Sequence, residues 1–279
     1  MIRCISLLHG RNHSLSRKLR VLLICLMSAF QLIAQSESEP GLQIKFMTFN
    51  ILHGATMNHD FDLEKIAKVI IDEQPDLVAL QEVDYKTGRV KKMDLATELA
   101  YRTGMSSYFA RAMKYDGGEY GEAILSKWSF IQTRNIPLPY SEGNEPRAIA
   151  EVTVVTDSGD TITFAGTHLD HLNNDYDRWQ QVKHINKEYA NSQYPSILAG
   201  DLNDIPLSRS IQKLQELWSF SCNESDLKAT YPSKLPTKKI DYILHQEKDQ
   251  WKVVSTKVIC DTIASDHCAL VVELSINKN

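Results

Sequence analysis

No HExxH helix motif and no glycine-rich GxxxxGK phosphate loop occurs in this chain, and no segment repeats another. The first absence argues against a metalloprotease-type zinc site, the second against a bound nucleotide cofactor, and the third against a solenoid or propeller. Low-complexity sequence is confined to the short polar stretch at 35–40. Cysteine is sparse, with five in 279 residues, so no disulfide scaffold carries the fold. A chain of this length buries most of its unfolded surface without such staples, so any metal is expected to serve chemistry rather than folding. An excess of basic charge is also lacking, the formal net charge being −4.

The most apolar stretch, residues 21–32, is short for a bilayer span. Arg17, Lys18 and Arg20 precede it, Ala34 offers a small residue for cleavage, and the polar 35–40 segment follows. That is the pattern of a secretory signal peptide over 1–34, followed by a linker at 35–41 and one domain over 42–279. An uncleaved anchor is the competing reading. Cys25 does not make a lipoprotein signal, because Ile24 is a poor lipobox residue and most of the apolar run lies after it. Cleavage near Ala34 would give a secreted or periplasmic protein. It removes five basic residues and no acid, taking the formal net charge from −4 to −9. So acidic a domain is not built for broad capture of nucleic acid. Cleavage also leaves Cys222, Cys260 and Cys268. One bridge is possible, with Cys222–Cys260 favoured, and Cys268 reads as a small buried apolar residue.

Helical and extended patterns alternate. Residues 42–49 alternate as a strand. Asp62 caps a helix carrying Leu63, Ile66, Ala67 and Ile70, which Pro75 ends, and 77–80 reads as a buried strand. A second helix spans 94–102. The β-branched runs 151–155 and 161–166 flank Asp157-Ser158-Gly159-Asp160, a hairpin signal. A helix over 176–191 is followed by a strand at 196–199. Ser208 caps a helix bearing Ile211, Leu214 and Trp218, and strands follow at 239–244 and 269–274. Hairpins mixed with few helices predict an α/β (α+β) fold of two packed mixed β-sheets flanked by helices in four layers.

Chemically able side chains sit at the ends of these strands: Asn50, Glu82, His168, Asp201, Asn203, Asp241, Asp266 and His267. Ionisable groups gathered at one edge of a core are costly unless they pair or bind a cation. Carboxylates and an amide suit a hard ion, so Mg2+ or Mn2+ is expected rather than zinc.

Seven segments in order carry a resemblance: MTFNILHG (47–54), LQEVD (80–84), YGEAILS (120–126), THLDH (167–171), AGDLND (199–204), KIDYIL (239–244) and SDHCAL (265–270). Together the chain resembles the endonuclease/exonuclease/phosphatase superfamily, which has the deoxyribonuclease I-like fold. The resemblance implies that Glu82, with Asn50 beside it, Asp266 and Asp201 surround the metal. It implies that Asp201 and Asn203 hold water or phosphoryl oxygens, and that His168 and His267 are the catalytic histidines. Asp241 would orient His267. Glu122 would partner His168, although many phosphatase relatives have Asn there. Arg147 would meet a phosphate oxygen, the alternative being a surface pair with Glu145 or Glu151. Tyr120 would touch substrate, the alternative being a buried ring.

His53 and His59 read as surface loop residues, and Arg178 and Gln181 as supports of the His168 loop. His171, Asp170 and Asn173 would recognise substrate hydroxyls or simply be solvated. The expected activity is Mg2+-dependent hydrolysis of a phosphate ester on a small molecule or lipid headgroup, by a monomer with no stable membrane anchor. A secreted deoxyribonuclease I-like endonuclease is the alternative, for which the basic loop 86–92 is the only concentrated cationic segment after residue 34; a non-catalytic binding domain is the second.

Overall fold

The computed structural model describes residues 43–222, 227–246 and 251–276. The expected signal segment and linker lie outside the described residues. Twelve strands form two six-stranded mixed sheets. The first contains β1 (Gln43–Asn50), β2 (Leu77–Tyr85), β3 (Ser106–Tyr115), β4 (Gly118–Ser126), β11 (Trp251–Ile259) and β12 (Ala269–Ile276), in the order β11-β12-β1-β2-β4-β3. The second contains β5 (Phe130–Pro137), β6 (Ala148–Val155), β7 (Thr161–His168), β8 (Ser196–Asp201), β9 (Trp218–Phe220) and β10 (Asp241–Gln246), in the order β5-β6-β7-β8-β10-β9.

The period-2 alternation of β1 shows how the layers are assigned. Ile44 and Phe46 point between the sheets, where they join Leu77, Ala79, Ile124, Val152, Phe164 and Ile197. Met47 and Phe49 point outward, under helices α1 (Leu63–Glu73) and α2 (Leu95–Thr103). On the far side α3 (Tyr176–Tyr189) and α4 (Arg209–Leu214) cover the second sheet through Val182, Ile185, Ile211 and Leu214. Small residues let the sheets approach: a Cβ on Gly166 would lie 3.0 Å from that of Ala79. The caps foreseen at Asp62 and Ser208 form, each side chain accepting a backbone N–H.

Three details differ from expectation. The helix capped by Ser208 stops at Leu214, and Trp218 begins the short strand β9 paired to β10. Its ring still enters the same core as Leu214, so the apolar spacing was real but the backbone was not helical throughout. Strands β3, β5 and β11 gave no sequence signal because they are largely half-exposed and lack clean alternation. The disulfide joins Cys260 to Cys268, not Cys222 to Cys260. The register explains this. Ile259 lies opposite Ala269, so the next cross-strand pair is Cys260 with Cys268, at a Cα–Cα distance of 4.3 Å.

Gly200 is required where parallel strands β7 and β8 meet, since a Cβ there would lie 1.9 Å from the Thr167 carbonyl oxygen. Gly200→Ala is expected to lower stability by about 3 kcal/mol or more, read from the thermal unfolding midpoint. Peptide mapping under non-reducing conditions is expected to return a 260–268 crosslink, and a 222–260 crosslink would contradict the strand register.

Candidate active site

Parallel strands β1 and β2 run to a common edge of the first sheet, and β7 and β8 to that of the second. Each ends on a polar side chain. Asn50 closes β1, Glu82 occupies an irregularity in β2 between Leu80 and Val83, His168 closes β7, and Asp201 closes β8 directly opposite His168. Asp241 starts β10 opposite Asp201, and the β11–β12 connection brings Asp266 and His267. Glu82 has φ +59°, a left-handed conformation that a glutamate adopts only under constraint and that functional sites tend to hold.

Three of these residues converge on one atom of a fourth. Asp201 Oδ2 lies 3.4 Å from His168 Nε2, 3.5 Å from His267 Nε2 and 3.3 Å from Asn50 Nδ2. Asn50 also donates to Glu82 Oε1 at 3.1 Å, while its own Oδ1 accepts from the Leu52 N–H. Asn50 therefore links the two carboxylates by hydrogen bonds. His267 Nδ1 lies 3.1 Å and 3.2 Å from the two Asp241 oxygens, which leaves its Nε2 facing the site. Asn203, with φ +50°, donates its backbone N–H to Asp201 Oδ1 and its side-chain Nδ2 to the Leu169 carbonyl. A cavity of about 600 Å³ opens here, lined by Glu82, Tyr120, Arg147, His168, Asp201, Asn203, Asp266 and His267 among others.

Electrostatics follow from burial of so much like charge. Burial pushes Asp201 up, and the Asp241 charge adds to it. Burial also raises Asp266, and raises fully enclosed Glu122 well above the usual carboxylate range. Burial opposes protonation of His267, but the charge and hydrogen bond of Asp241, with Asp201 and Asp266 behind them, push it up. His168 is driven the other way, by burial and then by the Arg147 charge. Burial would raise Glu82 too, yet His53, His168 and Asn50 bring it down to about 2. A cluster in which several carboxylates resist ionisation is one that a cation would relieve. Asp201, Asp241 and His267 offer donor atoms within 4.8 Å of one another, and Glu82 and Asp266 face the same cavity. These oxygen-rich donors fit a hard divalent ion.

The pairing expected between His168 and Glu122 is not made. Neither Glu122 oxygen nor His168 Nδ1 has a hydrogen-bond partner, and His168 instead approaches Asp201 through Nε2. Glu122 is fully buried on β4, where it faces the Arg147 charge without bonding to it. Arg147 is buried at 2% exposure, 3.2 Å from Glu145, while Glu151 pairs with Arg134. Its Nη2 meets His171 Nδ1 at 3.2 Å, and its Nε and Nη1 have no hydrogen-bond partner. Tyr120 is buried and lines the cavity.

Helix α3 braces the site from outside. Arg178 donates to the carbonyls of Asp170 and Leu172 and to Asp204, and Gln181 joins the Asp170 N–H to the Pro139 carbonyl. Asp177 accepts from the Ser141 N–H, the Ser141 hydroxyl and Asn144, and so fixes the loop before Arg147.

Two residues escaped sequence reasoning. His53, expected on the surface, is half-buried with Nδ1 3.5 Å from Glu82 Oε2. Tyr231 lays its ring 4.8 Å from that of His267. His53 sits inside the NILHG segment and was legible as a neighbour of Asn50, whereas nothing around Tyr231 marks it.

A model of the Endonuclease/Exonuclease/phosphatase family matches residues 47–267, and the chain belongs to that family, whose members are hydrolytic phosphoesterases. No curated protein matches it. Among solved structures, it is similar to an endonuclease/exonuclease/phosphatase from Beutenbergia cavernae DSM 12333 (TM-score 0.72, 23% identity, 84% of this chain and 72% of that one). It is also similar to the human Nocturnin catalytic domain with bound sulfate anion (TM-score 0.66, 20% identity, 85% and 94% covered). A third is a mannosyl-6-phosphatase of Bacteroides thetaiotaomicron VPI-5482 (TM-score 0.63, 16% identity, 84% and 100% covered). At these identities the likeness is one of fold, and the two packed mixed sheets with flanking helices are the deoxyribonuclease I-like architecture.

Asp177 yields a pH-dependent prediction. Burial would raise its pKa, but the bonds from Ser141 and Asn144 hold it below the usual value. A depressed carboxyl contributes stability above the unfolded pKa, near 3.9, and loses it as pH falls through the folded value. Asp177→Asn, which turns an amide toward three donors, is expected to cost roughly 1–3 kcal/mol at neutral pH. The gap to wild type should close below about pH 4, followed by urea unfolding at each pH.

Proposed function

We propose that this chain is a Mg2+- or Mn2+-dependent hydrolase of phosphate esters carried by a small molecule or lipid headgroup, acting outside the cytoplasm. The observation that carries the reading is the buried Arg147, whose Nε has no partner and whose Nη1 has only an ion pair with Glu145, lining one cavity with Glu82, Asp201, Asp266 and the Nε2 side of His267. A tetrahedral anion placed there would meet guanidinium donors on one side and the carboxylate cluster, with its cation, on the other. Glu82, Asp266 and Asp201, with Asn50 bonded to Glu82 and Asp201, are the residues that would hold the ion. Once bound, it neutralises charge on the phosphoryl oxygens.

The protein's own groups supply the rest. His267, oriented through Nδ1 by Asp241, presents Nε2 to move a proton to or from an oxygen at the phosphorus. Its raised pKa favours the protonated form and hence donation to the leaving oxygen. His168, kept neutral by burial and Arg147, faces Asp201 through Nε2 and holds that carboxylate in place beside the reacting oxygens. Asn203 shapes the Asp201 loop, and Tyr120 forms one wall.

The acidic composition favours a small or lipid-derived substrate over nucleic acid. The basic loop also favours it, since Arg89 is spent on buried Asp84 and Lys92 on the Gly117 carbonyl. A disulfide between Cys260 and Cys268 supports an oxidising compartment, as does the signal pattern over 1–34.

Hydrolysis by residues 35–279 is tested on p-nitrophenyl phosphate, bis-p-nitrophenyl phosphate, phosphorylcholine esters, inositol phosphates and plasmid DNA, with Mg2+, Mn2+ or EDTA. The expected result is turnover of a small ester that EDTA abolishes, with DNA intact. Plasmid cleavage outpacing every small ester would replace the reading with the nuclease. His267→Ala and Glu82→Gln are each expected to lower kcat by about 10² or more with the thermal midpoint little changed. Retention of activity in both variants would sink the site assignment.

A further inference from the structure

Four of the large apolar side chains that remain exposed lie on loops that contribute to the active-site cavity. Leu172 follows β7, and Ile205 and Leu207 follow β8; Leu172 and Ile205 line the cavity itself. Leu235 lies within the loop that Tyr231 and Lys238 close by pairing with each other, and both of those residues also line the cavity. That loop is tied to the catalytic edge by the bond from the Ser233 N–H to the Asp266 carbonyl. The four side chains are 38%, 51%, 83% and 74% exposed. Scattered exposed leucines are ordinary, but aliphatic tips on three loops that ring one cavity mark a contact surface.

Charge identifies what the surface meets. The loop at 231–238 reads Tyr-Pro-Ser-Lys-Leu-Pro-Thr-Lys, so Leu235 stands between Lys234 and Lys238. Both lysines are exposed, and neither has an ion-pair partner among the described residues. An apolar tip flanked by free lysines is the chemistry of a segment that enters the headgroup region while its amines stay at the anionic surface. A polynucleotide would instead call for stacking rings and cations along the path of its backbone. Here Tyr120 and Tyr231 stand in the cavity wall, and the exposed tips of the three loops are aliphatic.

We propose that Leu172, Ile205, Leu207 and Leu235 dock this face on an anionic lipid bilayer, so that the phosphate ester entering the cavity belongs to a lipid headgroup. The proposal rests on the phosphoesterase reading and narrows its substrate. It also supplies an attachment where no helix among the described residues is long and apolar enough to cross a membrane.

The test is sedimentation of residues 35–279 with phosphatidylcholine vesicles containing one-fifth phosphatidylglycerol, against pure phosphatidylcholine, in EDTA. The wild type is expected to pellet with the anionic vesicles at least tenfold more than with the neutral ones, and to be released by salt. Leu207→Asp with Leu235→Asp should reduce pelleting at least tenfold, as should Lys234→Glu alone. With metal present, the double leucine variant should lose at least tenfold in hydrolysis of vesicle-borne lipid. Its kcat/KM on a soluble p-nitrophenyl ester should stay within twofold, which also shows that it folds. No pelleting by the wild type, equal pelleting with both vesicle types, or wild-type pelleting by the leucine variant would each overturn the docking proposal. Pelleting without hydrolysis of any ester would leave docking standing and bring down the phosphoesterase reading instead.

Discussion

One oxygen atom organises this molecule. Asp201 Oδ2 is approached by two histidine nitrogens and an asparagine amide while Asp241 crowds it from the neighbouring strand. A carboxylate so deeply buried among other carboxylates is tolerable only if donors reach it from several directions. Those donors come from β1, from β7 and from the β11–β12 connection, so both sheets must be packed before the charge is satisfied. Gly200 is the backbone counterpart of the same constraint, since a side chain there would separate β8 from β7 and carry Asp201 away from His168.

The labour is divided between rigid strands and braced loops. Strand ends fix Asn50, His168, Asp201 and Asp241 within a ladder register that cannot slip without reversing the two faces. Loops carry the groups nearer the cavity mouth, and most are held by side chains rather than by strand pairing. The first turns of α3 hold three of them through Asp177, Arg178 and Gln181. Helix packing outside the second sheet thereby reaches the position of Arg147 on the inside.

Much of this was legible in the sequence. Each polar residue that ends an apolar strand could be a turn former, but their recurrence at one sheet edge announces a site, because ionisable groups gathered there must pair or bind a cation. Asp62 and Ser208 announced their helices by cap chemistry. What stayed hidden depended on distance in space rather than pattern along the chain. Glu122 was matched to His168 by motif, yet the structure gives neither group a hydrogen bond and sets Glu122 beside the Arg147 charge. Tyr231 reaches His267 from a loop with no periodicity, and only the β11–β12 register reveals that Cys260 faces Cys268. Trp218 obeyed helical spacing although the chain had already turned into a strand.

The pairing of β1 with β12 has a consequence for how the chain comes into being. The first strand of the domain finds its antiparallel neighbour only in the last one, and the Ser265 hydroxyl bonds the Asn50 carbonyl across 215 residues of sequence. During synthesis the early half emerges with its central sheet missing a partner, and loop closure over such a span is slow compared with local folding. A chain that has not passed residue 266 therefore lacks His267 and strand β12 together. The site is thus assembled in one step, when the C-terminal segment docks.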